Sequence, residues 1–291
     1  MAHPTSSPTV SVVMSVLNSE RTVDAAVTSI RAQTFSDWEF IILDDGSRDG
    51  TARIVAAADD PRIRLIGGKT TLGLAARLNQ GVALARGRYI ARMDGDDIAY
   101  PERLQRQVAH MESHPRIDLI GSAAMVFSEA LGAIGIFRTA DRHEDICAHP
   151  ELGFALAHPT WLGRREWFGD LPYRESASRA QDQDLLLRRH RSSRFANLPD
   201  VLLGYRQERL RARNIVYGRW HYTRALIAFA HQSNDPLLAA RGVGQQLVRG
   251  AMTLALVGAG RDQAILAHRF RAPEAEELTQ WRAVRDSLAR G

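Results

Sequence analysis

The first half of the chain alternates apolar segments with amphipathic ones, and this alternation restricts the fold more than any other feature. Five segments are predicted as strands from their apolar content: residues 10–16, 38–43, 63–66, 88–93 and 117–127. Helical spacing of apolar residues lies between them, as over residues 22–33 and 73–85. Repeated β-α units of this kind predict an α/β protein with a mostly parallel sheet and helices on both faces.

Carboxylates cluster directly after two of the predicted strands. The two clusters are Asp44 with Asp45, and Asp94 with Asp96 and Asp97. Because ligands bind beyond the carboxyl ends of parallel strands, we expect both clusters at one edge of the sheet. Adjacent carboxylates repel one another and lose solvation in a cleft unless a cation or a ligand compensates them. Their oxygens suit Mg²⁺ or Mn²⁺, so the clusters predict a site for a nucleotide diphosphate.

Turn and capping chemistry offers a second interpretation of these acids. It accounts for Asp49 and Thr51, which suit the start of a helix. It does not account for the pair Asp44 and Asp45, or for three carboxylates in four residues after the fourth strand. Asp182 lies where a helix opens, and acids are common there for capping alone. A catalytic role for Asp182 therefore does not follow from the pattern by itself.

Composition is that of an ordinary globular protein, with 291 residues, 45% hydrophobic and 24% charged. This length allows one large α/β domain, or a medium domain with a helical appendage. The single cysteine, Cys147, excludes an intrachain disulfide and a cysteine-rich zinc site. Residues 1–8 lack the features of a signal peptide, and the apolar stretch 251–260 is about half the length that crosses a bilayer. These features predict a cytoplasmic protein.

Positive charge is concentrated in one region of the chain. Residues 186–224, here called the basic region, contain ten arginines less two acids, which gives a net charge of +8. Such a region suits nucleic acid, anionic lipid headgroups or a phosphorylated substrate, and it is equally typical of a solvated face. We find no interleaved aromatic platform for stacking bases, so nucleic acid is not expected as a partner.

The second half follows a less regular pattern. Its predicted elements are a strand at 132–138 paired with the fifth, a helix at 141–147, an extended segment at 154–162, a helix at 182–191 and a strand at 195–205. From Glu208 the pattern is helical to the end, with helices at 237–256 and after Pro273. One packed helix face is expected to contain Leu226, Ile227, Phe229 and Ala230. We therefore expect a domain at 8–206 and a C-terminal helical extension at 207–291.

Taken in order, the motifs of this chain resemble those of the family 2 glycosyltransferases with the GT-A fold. The ordered set is specific although each piece alone is not, and it covers roughly residues 8–206. The matching segments are residues 11–18, Asp44-Asp45-Gly46-Ser47-Arg48-Asp49-Gly50-Thr51, Asn79-x-Gly81, Ala85-x-Gly87, Met93-Asp94-Gly95-Asp96-Asp97-Ile98, Pro101-Glu102-Arg103-Leu104, His158-Pro159-Thr160, and Asp182 before Asp184-Leu185. The resemblance implies a Rossmann-like sheet flanked by helices.

The same resemblance implies an inverting transferase that uses a nucleotide-diphosphate sugar, with a UDP-sugar favoured. It places Ser15, Leu17 and Asn18 at the nucleoside pocket. It assigns Asp45 to the base of the nucleotide, and Asp94 to the ribose and the metal. Many relatives carry Tyr where Leu17 stands. Leucine keeps an apolar contact with the base but loses the aromatic face, so this position does not fix the preferred base.

Two acids receive chemical roles from the resemblance. Asp96, helped by Asp94, corresponds to the ligand of Mg²⁺ or Mn²⁺ that meets the diphosphate, where a metal stabilises the leaving group. Asp182 corresponds to the general base that takes the proton of the acceptor hydroxyl. Many relatives have Glu where Gln181 stands, but the acid assigned as base is present. One base and one displacement would invert the anomeric centre.

The acceptor is expected to be a carbohydrate or a lipid-linked sugar, in cell-surface polysaccharide or glycolipid synthesis. The basic region is then expected to draw the protein to anionic lipid at the inner face of the membrane, as a peripheral contact. Two other classes of protein stay open. One is a sugar nucleotidyltransferase, although the early glycine-rich basic loop for a triphosphate is absent after Val16. The other is a non-catalytic nucleotide-binding module.

Overall fold

A computed structural model of the chain describes residues 7–137, 139–177, 179–208, 212–259 and 270–288. Its strands are β1 Val10–Val16, β2 Trp38–Asp44, β3 Ile63–Gly67, β4 Tyr89–Asp94, β5 Ile98–Ala99, β6 Leu119–Ser128, β7 Gly132–Phe137, β8 Leu162–Arg164, β9 Phe195–Arg206 and β10 Phe270–Arg271. Its helices are α1 Val23–Arg31, α2 Thr51–Ala56, α3 Leu74–Leu84, α4 Arg103–Ser113, α5 His143–Ile146, α6 Arg165–Asp170, α7 Gln181–Arg189, α8 Ala212–Gln232, α9 Pro236–Gly258 and α10 Ala275–Leu288.

The first four strands form a parallel sheet, as predicted. Their order, β3-β2-β1-β4, places β1 between β2 and β4. β1 is buried along almost its whole length, which explains its unbroken apolar run. β8 runs antiparallel between β4 and β6, and β6 pairs in parallel with β9. β6 also pairs with β7, which confirms the predicted pairing of the strand at 132–138. Arg138, its predicted last residue, lies outside the described residues, as does residue 260 of the apolar stretch.

Three predictions about the second half are wrong. Residues 154–162 are not one extended segment, because they contain the 3₁₀ turn His158–Thr160. The chain after Glu208 is not helical throughout, because β10 pairs with β7. Ile227 is 46% exposed and does not belong to the packed face of α8. Elements of two to six residues, such as β5, β8 and α6, show too little periodicity to be predicted from the sequence.

The core has a layer on each face of the sheet. One layer contains side chains of α1, α2 and α4, and the other contains side chains of α3, α6 and α7. α3 packs very closely on β1, since a Cβ atom at Gly81 would lie 2.4 Å from Val13 Cγ1. α10 packs in a third apolar cluster, in which the ring of Trp281 lies 4.6 Å from that of Phe127. Within the described residues, no helix combines the length and apolar character needed to cross a bilayer.

Candidate active site

Three neighbouring strands end together at the carboxyl edge of the sheet. The register places Ser15 of β1 opposite Asp94 of β4, and Val16 of β1 opposite Asp44 of β2. Parallel pairing therefore brings the two acidic clusters and the end of β1 to one edge. This is the arrangement that the sequence predicted from the order of strands and acids.

A cleft of ≈ 490 Å³ opens beside these strand ends. Its lining comes from the β1–α1 loop, the turn after β4 and the end of β9: Ser15, Leu17, Asn18, Ser19, Glu20, Arg21, Thr22, Asp49, Asp94, Gly95, Asp96, Arg206 and Glu208. The volume falls within the roughly 300–1,000 Å³ that is common for small-molecule sites. The structure thus brings five predicted site residues into one cleft, while Asp45 and Asp182 are not among its lining residues.

Asp94, Asp96 and Asp97 form an acidic cluster in the turn after β4. One carboxylate oxygen from each residue lies within 4.8 Å of the others. Asp96 is exposed, Asp94 is half-buried and Asp97 is buried. Gly95 allows this turn to approach β1, since a Cβ atom at Gly95 would lie 2.8 Å from Val16 Cγ1. The spacing of the three carboxylates suits a single small cation.

The pKa values of this acidic cluster reflect lost solvation and the crowding of like charges. Although Asp96 as a whole is exposed, its side chain lines the cleft, and loss of solvation there, then repulsion by Asp94, raises the pKa of its carboxyl group to about 6. Burial, then the neighbouring carboxylates, raises the pKa of Asp97 well above its ordinary value. Asp97 Oδ1 accepts a hydrogen bond from the Arg206 N–H at 2.9 Å, whereas buried Oδ2 has no hydrogen-bond partner among the described residues. A divalent cation fits this site, because it would pair with the oxygens and relieve their repulsion.

Arg92 is a buried cation beside the acidic cluster, and the sequence interpretation missed it. Its guanidinium group forms an ion pair with Asp94. Burial is the largest single effect and would lower the pKa of Arg92, but attraction by Asp94, the hydrogen bond to it, and attraction by Tyr173 and Asp97 together raise the pKa. A signal was present in the sequence, because Arg92 interrupts an otherwise apolar strand, where a buried charge requires a partner. The site is therefore a balance of carboxylates and one buried guanidinium.

Asp182 lies in the first turn of α7, as predicted. Burial is the largest cause that raises the pKa of its carboxyl group. Among the described residues Asp182 makes no ion pair, whereas Asp184 two positions later pairs with two arginines. Arg92 and the hydroxyl group of Tyr173 are electrostatic neighbours of Asp182. A half-buried carboxylate with a raised pKa is suited to accept a proton, whereas the buried and paired Asp184 stabilises the fold.

Asp45 and Asn18 are engaged in local structure. The buried carboxylate of Asp45 accepts from Arg77 Nε at 2.8 Å and from two backbone N–H groups just before α3. Asn18 Oδ1 accepts from the Arg48 N–H at 2.9 Å and so joins two loops at the rim of the cleft. These bonds explain why both residues occur at strand ends. Contacts of Asp45 and Asn18 with a nucleotide stay predictions.

His158 supports the fold close to the site. Its Nε2 lies 2.9 Å from the hydroxyl group of Tyr173. Burial, then the nearby Arg92, lowers the pKa of His158 well below its ordinary value, so its imidazole is neutral at physiological pH. Thr160 Oγ1 accepts from the Ser122 N–H, which ties the 3₁₀ turn to β6. The His-Pro-Thr motif thus has a structural explanation.

The basic region carries less free charge than its composition suggested. Five of its arginines lie within 4.0 Å of a carboxylate: Arg188, Arg189, Arg191, Arg194 and Arg206. Arg224 lies over the ring of Trp220. The side chains of Arg209, Arg211 and Arg213 lie outside the described residues. Most of the described arginines therefore pair within the protein, and membrane contact by this region stays a prediction.

A mixed α/β sheet with an acidic cluster beyond a parallel strand is the arrangement expected for a glycosyltransferase of the GT-A class. The family model described as Glycosyl transferase family 2 matches residues 11–171, which is more than half of the chain, and the chain belongs to that family. The family predicted from the motifs is thereby confirmed.

Two curated relatives match parts of this chain. Over 127 residues it is 46% identical to "Putative glycosyltransferase EpsE" of Bacillus subtilis (strain 168), which covers 43% of this chain and 46% of that protein. Over 102 residues it is 36% identical to "UDP-Glc:alpha-D-GlcNAc-diphosphoundecaprenol beta-1,3-glucosyltransferase WfgD" of Escherichia coli, which covers 35% of this chain and 40% of that protein. The chain thus spans less than half the length of either relative.

A solved structure shares the fold. Glucosyl-3-phosphoglycerate synthase from Mycobacterium tuberculosis, in complex with Mn²⁺, UDP and phosphoglyceric acid, aligns with a TM-score of 0.57 and 20% identity. The alignment covers 76% of this chain and 78% of that one. It confirms the GT-A fold that the motifs predicted.

Proposed function

We propose that this protein transfers a sugar from a nucleotide-diphosphate sugar, with a UDP-sugar favoured, to a hydroxyl group of a carbohydrate or lipid-linked acceptor. The observation that carries the proposal is the acidic cluster of Asp94, Asp96 and Asp97 beside the cleft that Ser15 and Leu17 also line. The names of the two relatives support a role in polysaccharide or glycolipid synthesis, and one of them includes a diphosphoundecaprenol acceptor.

The donor nucleotide would lie against the end of β1. Leu17 is exposed in the cleft and offers an apolar contact for the base, while Ser15 and Asn18 offer polar atoms beside it. Asp45 shapes the same edge of the sheet through its bonds to the loop before α3. Asp94 is held by Arg92 and is suited to orient the ribose. Binding the nucleotide in this way aligns the anomeric carbon for attack.

Asp96 and Asp94 would hold Mg²⁺ or Mn²⁺, with Asp97 as a third carboxylate. When bound, the cation supplies positive charge to the leaving diphosphate. The carboxylates would hold the cation beside the diphosphate, and the ion pair with Arg92 sets the orientation of Asp94. The presence of Mn²⁺ and UDP in the structurally similar synthase supports this use of the site.

Asp182 would act as the general base in an inverting displacement. The acceptor oxygen forms a bond to the anomeric carbon, while the bond from that carbon to the diphosphate oxygen breaks. The hydroxyl proton moves to the carboxylate of Asp182, whose pKa is raised by burial. One displacement of this kind inverts the anomeric centre.

A panel of sugar nucleotides tests the proposal. We expect release of nucleoside diphosphate with Mn²⁺ or Mg²⁺ and little release with EDTA. Asp96→Asn should lose this activity, since an amide is a poorer ligand for a hard cation. Asp59→Asn is the matched control, because Asp59 is exposed with a φ of 42°, which Asn tolerates. Release of pyrophosphate, or equal activity of the two variants, would contradict the proposal.

A further inference from the structure

An apolar surface on α8 and α9 faces solvent. Eight of the eleven exposed large hydrophobic side chains among the described residues lie on these two helices: Tyr217, Trp220, Ile227, Leu237, Leu247, Val248, Met252 and Leu254. We call these eight residues the exposed apolar surface. Isolated apolar side chains are common on proteins, but such a concentration on two adjacent helices marks a contact surface.

The exposed apolar side chains of α9 lie on one side of the helix, opposite its buried side. The buried side of α9 contains Leu238, Gly242, Gln246 and Thr253, which recur at helical spacing and include the contact with α8. Leu247 and Met252 lie on the opposite side and are exposed, and small residues such as Gly244 and Ala251 lie between them. α9 therefore has an exposed apolar face opposite the mixed apolar and polar side that packs on the protein.

The charges beside the exposed apolar surface are almost all positive. Residues 212–258 contain five arginines and a single acid, Asp235. The carboxylate of Asp235 already has two partners. Its Oδ1 accepts a hydrogen bond from the Leu238 N–H at the start of α9, and its Oδ2 lies 3.3 Å from Arg191 Nη2. Two of these arginines, Arg224 over the ring of Trp220 and Arg241, are exposed, so the described part of the two helices presents positive charge beside the surface.

We propose that the exposed apolar surface docks on an anionic membrane, with α8 and α9 lying in the plane of the lipid headgroups. The combination of apolar side chains with flanking arginines is typical of interfacial helices. Trp220 and Tyr217 combine an apolar ring with a polar group, which suits the boundary between lipid and water. A second copy of the chain is a poorer occupant, because it would oppose the exposed Arg224 and Arg241 with the same two arginines.

The exposed apolar surface overlaps the basic region only at Tyr217 and Trp220, and its chemistry is different. It depends on apolar insertion by α8 and α9, and not on the arginines that pair with carboxylates in the fold. α8 also packs beside α7, and Tyr222 on its buried side is an electrostatic neighbour of Asp182. Docking would place the side of the protein that carries Asp182 near the membrane, which suits a lipid-linked acceptor; this last step alone rests on the proposed function.

Fluorescence quenching provides a selective test. The other four tryptophans, Trp38, Trp161, Trp167 and Trp281, are at most 5% exposed, whereas Trp220 is 51% exposed. Acyl-chain-brominated lipids should therefore quench Trp220 when the full-length protein meets vesicles of phosphatidylcholine with phosphatidylglycerol. Phosphatidylcholine alone should quench much less. Sedimentation with vesicles without quenching would indicate a purely electrostatic contact and would overturn the proposal.

A matched pair of variants provides the second test. Leu247 is 69% exposed and Leu131, far away at the β6–β7 turn, is 71% exposed. Leu247→Ser should weaken partition into anionic vesicles by roughly tenfold, as expected for losing one buried leucine, and Leu131→Ser should not. Equal partition of both variants into vesicles would overturn the proposal. So would a protein that does not bind vesicles but forms a dimer, if Leu247→Ser dissociates that dimer. Nucleoside diphosphate release in the absence of vesicles reports on the proposed function separately and should be the same for both variants.

Discussion

At the scale of single residues, the site depends on how three carboxylates and one guanidinium group are balanced. Asp94, Asp96 and Asp97 crowd into one turn, and Arg92 is the buried cation that pairs with Asp94. Arg103, also buried, donates to the Arg92 carbonyl oxygen and so holds the same strand in place. Without a bound cation, the charges of the cluster are only partly compensated. The cluster is therefore both the functional centre of the proposed reaction and a source of instability.

Replacing Arg92 by Leu tests this balance. We expect the free energy of unfolding to fall by about 3–5 kcal/mol near neutral pH, the usual effect of removing one member of a buried ion pair. The loss should be smaller at about pH 5, because Asp96, whose pKa is raised to about 6, then binds a proton and repels its neighbours less. Urea unfolding at the two pH values measures both effects. Arg88→Leu, beside the same strand but exposed, should lose less than about 1 kcal/mol; equal losses would contradict the buried pair.

The pKa of about 6 at Asp96 predicts pH-dependent cation binding. A carboxyl group must lose its proton to bind a metal, so the affinity for Mn²⁺ should decrease as pH falls through about 6, approaching tenfold per pH unit. Conversely, without metal, stability should decrease as pH rises from 3.8 to about 6, because the folded state holds this proton more tightly than the unfolded chain. Calorimetric titration with Mn²⁺ between about pH 5 and 8 measures the affinity. Asp96→Asn should bind weakly at every pH, and a flat wild-type profile would refute the assignment.

At the scale of elements, several motif residues serve close packing. Gly81 lies in α3 where any side chain would collide with β1, and Gly87 lies where a Cβ atom would be 2.5 Å from the Ser11 backbone nitrogen. Gly81 and Gly87 of the motifs Asn79-x-Gly81 and Ala85-x-Gly87 thus allow close packing against β1, whose end lines the cleft. α3 and the loop before it are in turn fixed by the pair of Asp45 and Arg77.

A pair of glycine substitutions separates packing from helix propensity. Gly81→Ala should destabilise the protein by about 1–3 kcal/mol, because the added methyl group would meet Val13 Cγ1 at 2.4 Å. Gly244→Ala, in the interior of α9, should be neutral or stabilise by up to about 1 kcal/mol, since no atom lies within 4 Å of the added Cβ. Thermal unfolding of both variants gives the comparison. A gain in stability for Gly81→Ala would show that α3 can move away from β1.

Some of the elements and contacts were predictable from the sequence, and others were not. The parallel strands and the acids at their ends were predictable, because an apolar run and the polar residues after it are adjacent in the chain. The pairs Arg92 with Asp94 and Asp45 with Arg77 were not, since no periodicity indicates which charges meet inside the fold. The exposed side chain of Ile227 was missed for a related reason. Helical spacing identifies an apolar face but not whether another element covers it.

At the scale of the whole molecule, the chain closes on itself through α10. The sequence predicted a domain at 8–206 with a C-terminal helical extension at 207–291. Trp281 of α10, which lies in that extension, packs against residues of the predicted domain. The rings of Trp281 and Phe127 are 4.6 Å apart, and Tyr100 stacks on the same indole at 6.1 Å. α8 and α9, in contrast, expose much of their apolar surface. The C-terminal part thus contributes to the core through α10 and through the buried sides of α8 and α9, and α8 and α9 also offer an exposed surface.

Removing each of two tryptophans tests this description of the whole molecule. Trp281→Ala should lower the free energy of unfolding by about 3–5 kcal/mol, because it leaves a cavity where the indole packs. The indole packs directly on Gly204, since a Cβ atom at Gly204 would lie 2.4 Å from Trp281 Cζ3. Trp220→Ala removes the same ring from an exposed position and should change stability by less than about 1 kcal/mol. Urea unfolding followed by circular dichroism and by Mn²⁺ binding measures whether the site and the fold are lost together. If Mn²⁺ binding survives in Trp281→Ala at urea concentrations that unfold α10, then residues 8–206 are stable without that helix. That result would contradict the expectation that α10 and the site unfold together.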